Sequence, residues 1–167
     1  AFLRMGTGGI TAQAYGADRP GECANMLARS VWVAAALALL LLAFQRPIGH
    51  ASLALMQAGD HVNALAADYF FARVWAAPAS VLLLSLQGWL IGMQDARTPM
   101  FIAILSNVVN VACSLWFALA LGWGIAGVAW GTVVAQYTAL LVALVFLWVK
   151  YRGYLRLIDV RASLSLA

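Results

Sequence analysis

Charge is what this chain has least of. Only 10% of its 167 residues are Asp, Glu, Lys or Arg, and just 6 of them are acidic. Cysteine is also scarce, with Cys23 and Cys113 standing alone in different surroundings, so neither a disulfide framework nor a zinc framework follows. Without charge to cover a surface, the balance of a soluble domain is excluded. Hydrophobic residues make up 65% and mean hydropathy is +0.89. The net charge of +4 could suggest nucleic acid, but basic residues interleaved with aromatics on a soluble face are lacking. No nucleic-acid partner is expected. The expected partner is the lipid bilayer.

What is present is a set of long apolar runs. Val74 to Leu90 and Met100 to Leu121 are free of charge, and each can form a helix of about 20 residues, enough to cross a bilayer. Between them Gly88 to Pro99, GWLIGMQDARTP, reads as a charged cytoplasmic elbow. Asp95 or Thr98 can cap the next helix, and Pro99 fits a first turn whose amides have no helical partner. Uninterrupted runs exclude the alternating pattern of a barrel. The fold class expected is therefore an all-α integral membrane protein, a polytopic helical bundle. Segments are expected at about 1–16, 26–45, 69–92, 99–121 and 125–149, with a polar outer loop between Arg46 and Asp68. The chain opens inside the first apolar run without an initiator Met, which suggests a piece of a longer protein.

Seven of the ten basic residues, Arg19, Arg29, Arg97, Lys150, Arg152, Arg156 and Arg161, fall on one side of this arrangement. That side should be cytoplasmic. The tail 150–167 is expected as a basic linker lying along the anionic inner leaflet. His50 and His61 have no further ligand at recognisable spacing and are expected to face solvent, so no metal site is called.

Polar side chains within spans are the functional candidates. Asn107, Asn110 and Ser114 share one face of the fourth segment, and Thr132 and Gln136 share a face of the fifth, beside the small residues Gly127, Gly131 and Ala135. Spacing alone favours interhelical glue over a cavity wall. Arg4, about 18 Å from Gly16, is placed near mid-bilayer, with Thr7, Gly8 and Thr11 extending its face. Such a cation must face protein or water.

Several blocks carry a family resemblance: FLRMGTGGITAQAYGA at 2–17, RVWAAPAS at 73–80, GMQDARTP at 92–99, SNVVNVACS at 106–114 and GVAWGTVVAQY at 127–137. The chain resembles MATE transporters (multidrug and toxic compound extrusion), and within them the DinF-like branch. The resemblance implies helices two to six of the N-terminal lobe over 1–149, in a protein of twelve helices and two lobes that rocks about a central cavity. It implies a multi-pass protein of the bacterial inner membrane that exports small organic or toxic compounds in exchange for protons, or alternatively sodium. It also implies that helix one and the C-terminal lobe are partners outside these residues, with no enzyme activity and no cofactor. Tyr69, Asn110 and Thr132 match positions of the family's cation site, whereas Ser114 stands where several members carry Asp. A hydroxyl cannot supply charge, so proton coupling is expected over sodium. The alternative is a lipid-linked oligosaccharide flippase of the same superfamily, which would need several intramembrane cations where only Arg4 is available. A membrane enzyme would have to use Asp60, His61 and Asp68, which form no recognisable motif.

Overall fold

The computed structural model describes residues 2–56 and 60–158, apart from a few side chains around residues 53–61. Gly59 and Arg161 lie outside the described residues, as do the side chains of Asp60 and His61. The described chain is helical: α1 (Phe2–Gly16), α2 (Pro20–Ala43), α3 (Gln45–Met56), α4 (Asp60–Val74), α5 (Ala77–Gly92), α6 (Arg97–Leu115), α7 (Gly124–Lys150) and α8 (Arg152–Leu155). A π-helical turn, Trp116–Ala120, extends α6. By length and composition, Pro20–Ala43, Arg97–Ala120 and Gly124–Lys150 can each cross a membrane, as can the bent pair Val62–Val74 and Ala77–Gly92 taken together. With no water in lipid to satisfy backbone groups, helices are the form such runs take.

Two expectations about the outer region change. Of the segment expected as a loop after Arg46, the described residues are helical, and α3 packs on α4 through Gly49. A Cβ there would sit 2.8 Å from the Phe70 ring. The expected span at 69–92 is two helices meeting at 48°. Pro78 in the first turn of α5 has no amide to donate, which breaks the helical ladder at the bend. The Tyr137 hydroxyl on α7 donates to the Trp75 carbonyl there at 3.2 Å.

Packing runs along small residues. On α7 the four-residue ridge Gly127, Gly131, Ala135, Ala139, Ala143 and Leu147 is buried throughout, which makes α7 the helix against which α4, α5 and α6 rest. α5 packs on α1 in the same way. A Cβ on Gly88 would lie 2.6 Å from the Arg4 carbonyl oxygen, and one on Gly92 2.6 Å from Thr11 Cβ. Gly88 and Gly92 thus form a small-xxx-small contact that brings two backbones together. Trp89 between them is fully buried, with its Nε1 donating to the Cys23 carbonyl at 2.8 Å. Ser85 on α5 likewise donates to the Ser30 carbonyl on α2 at 3.3 Å. These contacts fix α1, α2 and α5 at a common level.

The turn between α6 and α7 needs its glycines. Gly122 and Gly124 both hold positive φ, 67° and 53°, where a side chain would be strained.

Candidate functional site

Mid-span polarity is concentrated between α6 and α7. Asn110 lies roughly 20 Å along α6 from Arg97, and Thr132 roughly 12 Å along α7 from Gly124, at the rise of a regular helix. Asn110 Nδ2 donates to Thr132 Oγ1 at 2.9 Å, and Thr132 donates to the Val128 carbonyl at 3.1 Å. Ser114, one turn beyond Asn110, reaches the same carbonyl at 3.5 Å. Gly131 permits this approach, since a Cβ there would stand 2.5 Å from Ser114 Oγ. The result is a neutral cluster of one amide, two hydroxyls and one carbonyl. Neither α6 nor α7 carries a carboxylate, so the cluster offers oxygen ligands and donors but no charge.

The other candidates stand apart from it. Asn107 is exposed beside Val108 and Val111 on an open depression of ≈ 450 Å³. Gln136 is half-buried one turn beyond Thr132 on α7. Tyr69 lies on α4, which packs against α7, and is 37% exposed. The structure therefore joins Asn110, Ser114 and Thr132 through shared hydrogen bonds and leaves Asn107, Gln136 and Tyr69 outside that network.

Arg4 lies toward the elbow end of the bundle, not midway along it. Its backbone lies against Gly88, one turn from the end of α5. Arg4 lines a groove of ≈ 310 Å³ with Gln87, Ala96, Pro99 and Met100, next to the elbow. Measuring depth from Gly16 misplaced it because α1 overshoots the elbow, with Thr11 rather than Gly16 level with Gly92. From this level an arginine can carry its charge to the interface along its own stem. Thr7 and Thr11 are buried in the helix packing, not in the Arg4 groove.

The elbow itself holds a polar cluster that sequence spacing does not reveal. Asp95, only 7% exposed, accepts from the Thr98 amide (3.2 Å) and hydroxyl (2.6 Å), from Lys150 Nζ (2.8 Å) and from the Tyr151 hydroxyl (3.0 Å). Burial alone would raise the Asp95 carboxyl, but these bonds, led by that from Lys150, outweigh it and hold it at about 2. Burial, and then the bond to Asp95, push the Tyr151 phenol well above its ordinary range. Tyr151 also stacks edge-on to Trp89 with ring centroids 5.0 Å apart. The start of the expected linker is thus docked under α5, and α8 packs against α2, in place of lying free along the leaflet. Asp95 was legible as a cap; its partners, 55 and 56 residues away, were not.

With this geometry in hand, known proteins provide a comparison. A family model described as MatE matches residues 1–116. DNA damage-inducible protein F of Escherichia coli (strain K12) is 35% identical over 154 residues, covering 91% of this chain and 34% of its own length. Protein DETOXIFICATION 43 of Arabidopsis thaliana is 37% identical over 79 residues, 47% of this chain and 15% of its own. The chain thus spans about a third or less of these relatives. Among solved structures, an inward-facing conformation of a multidrug resistance MATE family transporter of the MOP superfamily matches with a TM-score of 0.85, at 25% identity, over 96% of this chain and 36% of that one. An outward-facing conformation of a transporter so described matches at 0.82, with 23% identity, over 95% and 35%.

Proposed function

The chain belongs to the MatE family, and from that premise we propose that it forms part of the N-terminal lobe of a secondary antiporter. The whole protein exports small organic or toxic compounds across a bacterial inner membrane in exchange for protons. The observation that carries this reading is the Asn110–Thr132 hydrogen bond, with Ser114 beside it, at mid-span between α6 and α7. It sets polar atoms where an apolar contact would pack as well, and polar groups within a membrane mark pathways for ions or substrate. Because the cluster is neutral, a hard cation gains little electrostatic attraction from it. Proton coupling through a carboxylate elsewhere in the protein is therefore favoured over sodium. Support for rocking comes from the fold, since the same helical unit matches inward- and outward-facing transporters almost equally well. The flippase alternative would need several cavity cations, and the place of Arg4 beside the elbow speaks against counting it as one of them.

The test is efflux of a fluorescent organic cation from inverted vesicles carrying the full-length protein, under an imposed proton gradient and then an imposed sodium gradient. Transport under the proton gradient alone is expected. Sodium-driven transport would overturn the choice of ion, and no transport under either gradient would overturn the exporter reading.

A further inference from the structure

The chain that leaves α7 is fastened where it emerges. After α5 ends at Gly92, the backbone reverses tightly, with the Gln94 amide donating to the Ile91 carbonyl at 3.0 Å and the Asp95 amide to the Leu90 carbonyl at 2.9 Å. Gln94 stands there at φ 60°, in the left-handed region that side chains rarely adopt. Such strain persists where the surroundings over-determine it, and the carboxylate that follows supplies the bonds. Its two oxygens have different partners. Oδ1 accepts from the Thr98 amide in the first turn of α6, while Oδ2 accepts from Lys150 Nζ and the Tyr151 hydroxyl as well as from Thr98 Oγ1. The Tyr151 ring closes a triangle with Trp89 and Tyr154, centroids 5.0 to 6.2 Å apart, and Trp89 is itself bonded to the α2 backbone. Residues 151–155 are thereby held against α2, α5 and the start of α6.

The turn between α5 and α6 needs only part of this. Capping of α6 is complete with Oδ1 and Thr98, so what the bonds from Lys150 and Tyr151 fix is the outgoing chain. On the two-lobe reading above, on which this inference rests, that chain runs on toward the second lobe from the side that the basic residues predict to be cytoplasmic. Held down, it is a short tether. Released, residues 151–157 could add up to roughly 20 Å of reach. A longer tether lets the cytoplasmic ends of two lobes part farther, and a state that opens farther has more freedom to lose on closing. We propose that Asp95 Oδ2, Lys150 and Tyr151 form a clamp that keeps the connection between the lobes short and so limits opening toward the cytoplasm during transport. Asp95 is a positioning residue in this role, acting through the outgoing chain and touching no transported compound.

Lys150→Gln combined with Tyr151→Phe releases the outgoing chain and leaves the Oδ1 cap in place. In the full-length protein this double variant is expected to raise amide hydrogen exchange over 151–157. Efflux of the fluorescent organic cation, under the gradient that drives it, should lose about fivefold in maximal rate per molecule at unchanged KM, the low end of the coupling found between linked elements. Ser85→Ala, which loses a bond between α5 and α2 without touching the clamp, should keep the parent's rate, and so separates the clamp from lost packing. About six Gly and Ser residues inserted after Ile158, beyond an intact clamp, should lower the maximal rate to a similar degree because they lengthen the same tether. That insertion decides the matter if the double variant does not fold. Unchanged exchange over 151–157, or a released chain with the parent's maximal rate, would overturn the proposal. So would an insertion that leaves the rate unchanged. A parent that transports under neither gradient would instead overturn the exporter reading.

Discussion

Asp95 receives four hydrogen bonds from groups on two stretches of chain, and its ionised form is the one they stabilise. The folded carboxyl sits at about 2 against an ordinary 3.8. Folding therefore gains from ionised Asp95 above about pH 4, and that gain is lost as pH falls through about 2. Asp95→Asn is expected to lower the unfolding free energy of the full-length protein in detergent by about 1–3 kcal/mol at neutral pH, with the difference from the parent shrinking in acid. Lys150→Met should cost less, under about 1 kcal/mol, because its side chain is half-exposed and water screens the pair. At mid-span the corresponding question concerns Asn110. If the Asn110–Thr132 bond serves transport, Asn110→Ala should leave the amount of protein in the membrane unchanged and reduce transport per molecule. Loss of protein with normal transport per surviving molecule would show that the bond is interhelical glue, worth about 0.6 kcal/mol on average in such settings.

Elements are placed here by small residues more than by large ones. Gly127 and Gly131 let α7 meet α6 at backbone distance, and Gly88 and Gly92 do the same for α5 and α1. A side chain at Gly131 has no room, because Ser114 backbone and hydroxyl atoms both lie within 2.7 Å of an added Cβ. Gly131→Leu is expected to separate α6 from α7, break the Asn110–Thr132 bond and lower the melting temperature of the full-length protein. Gly9→Leu is the control, since a Cβ there meets nothing within 4 Å. Equal melting temperatures for the two variants would show that α6 and α7 can separate without loss. The ladder at Gly127, Gly131 and Ala135 was legible in the sequence. Gly88 and Gly92 were visible only as part of an elbow, because their partner Gly8 lies some 80 residues earlier and nothing local ties the two together.

For the whole molecule, the basic residues predict an orientation and the packing fixes its level. Arg97 and Lys150 lie at the elbow end of the bundle, and the Gly122–Gly124 turn lies at the other. In a background lacking Cys23 and Cys113, Arg97→Cys in the full-length protein should react with a membrane-impermeant maleimide from the cytoplasmic side only. Trp123→Cys should react only from the opposite side, and the reverse pattern would invert the topology. Membrane residence, helical class and the elbow follow from the sequence by itself, because runs without charge act residue by residue, without reference to the fold; the placement of Lys and Arg predicts the orientation in the same way. Where the helices break, how deep Arg4 lies and what Asp95 holds were decided only in the tertiary structure. The bend at Trp75 depends on Pro78 together with a hydroxyl from α7. The depth of Arg4 depends on how far α1 slides along α5 before Gly8 and Gly88 meet. The partners of Asp95 arrive from the far end of α7. Each is a contact between residues distant in the chain, and periodicity, which sees one helix at a time, carries no record of which faces will meet.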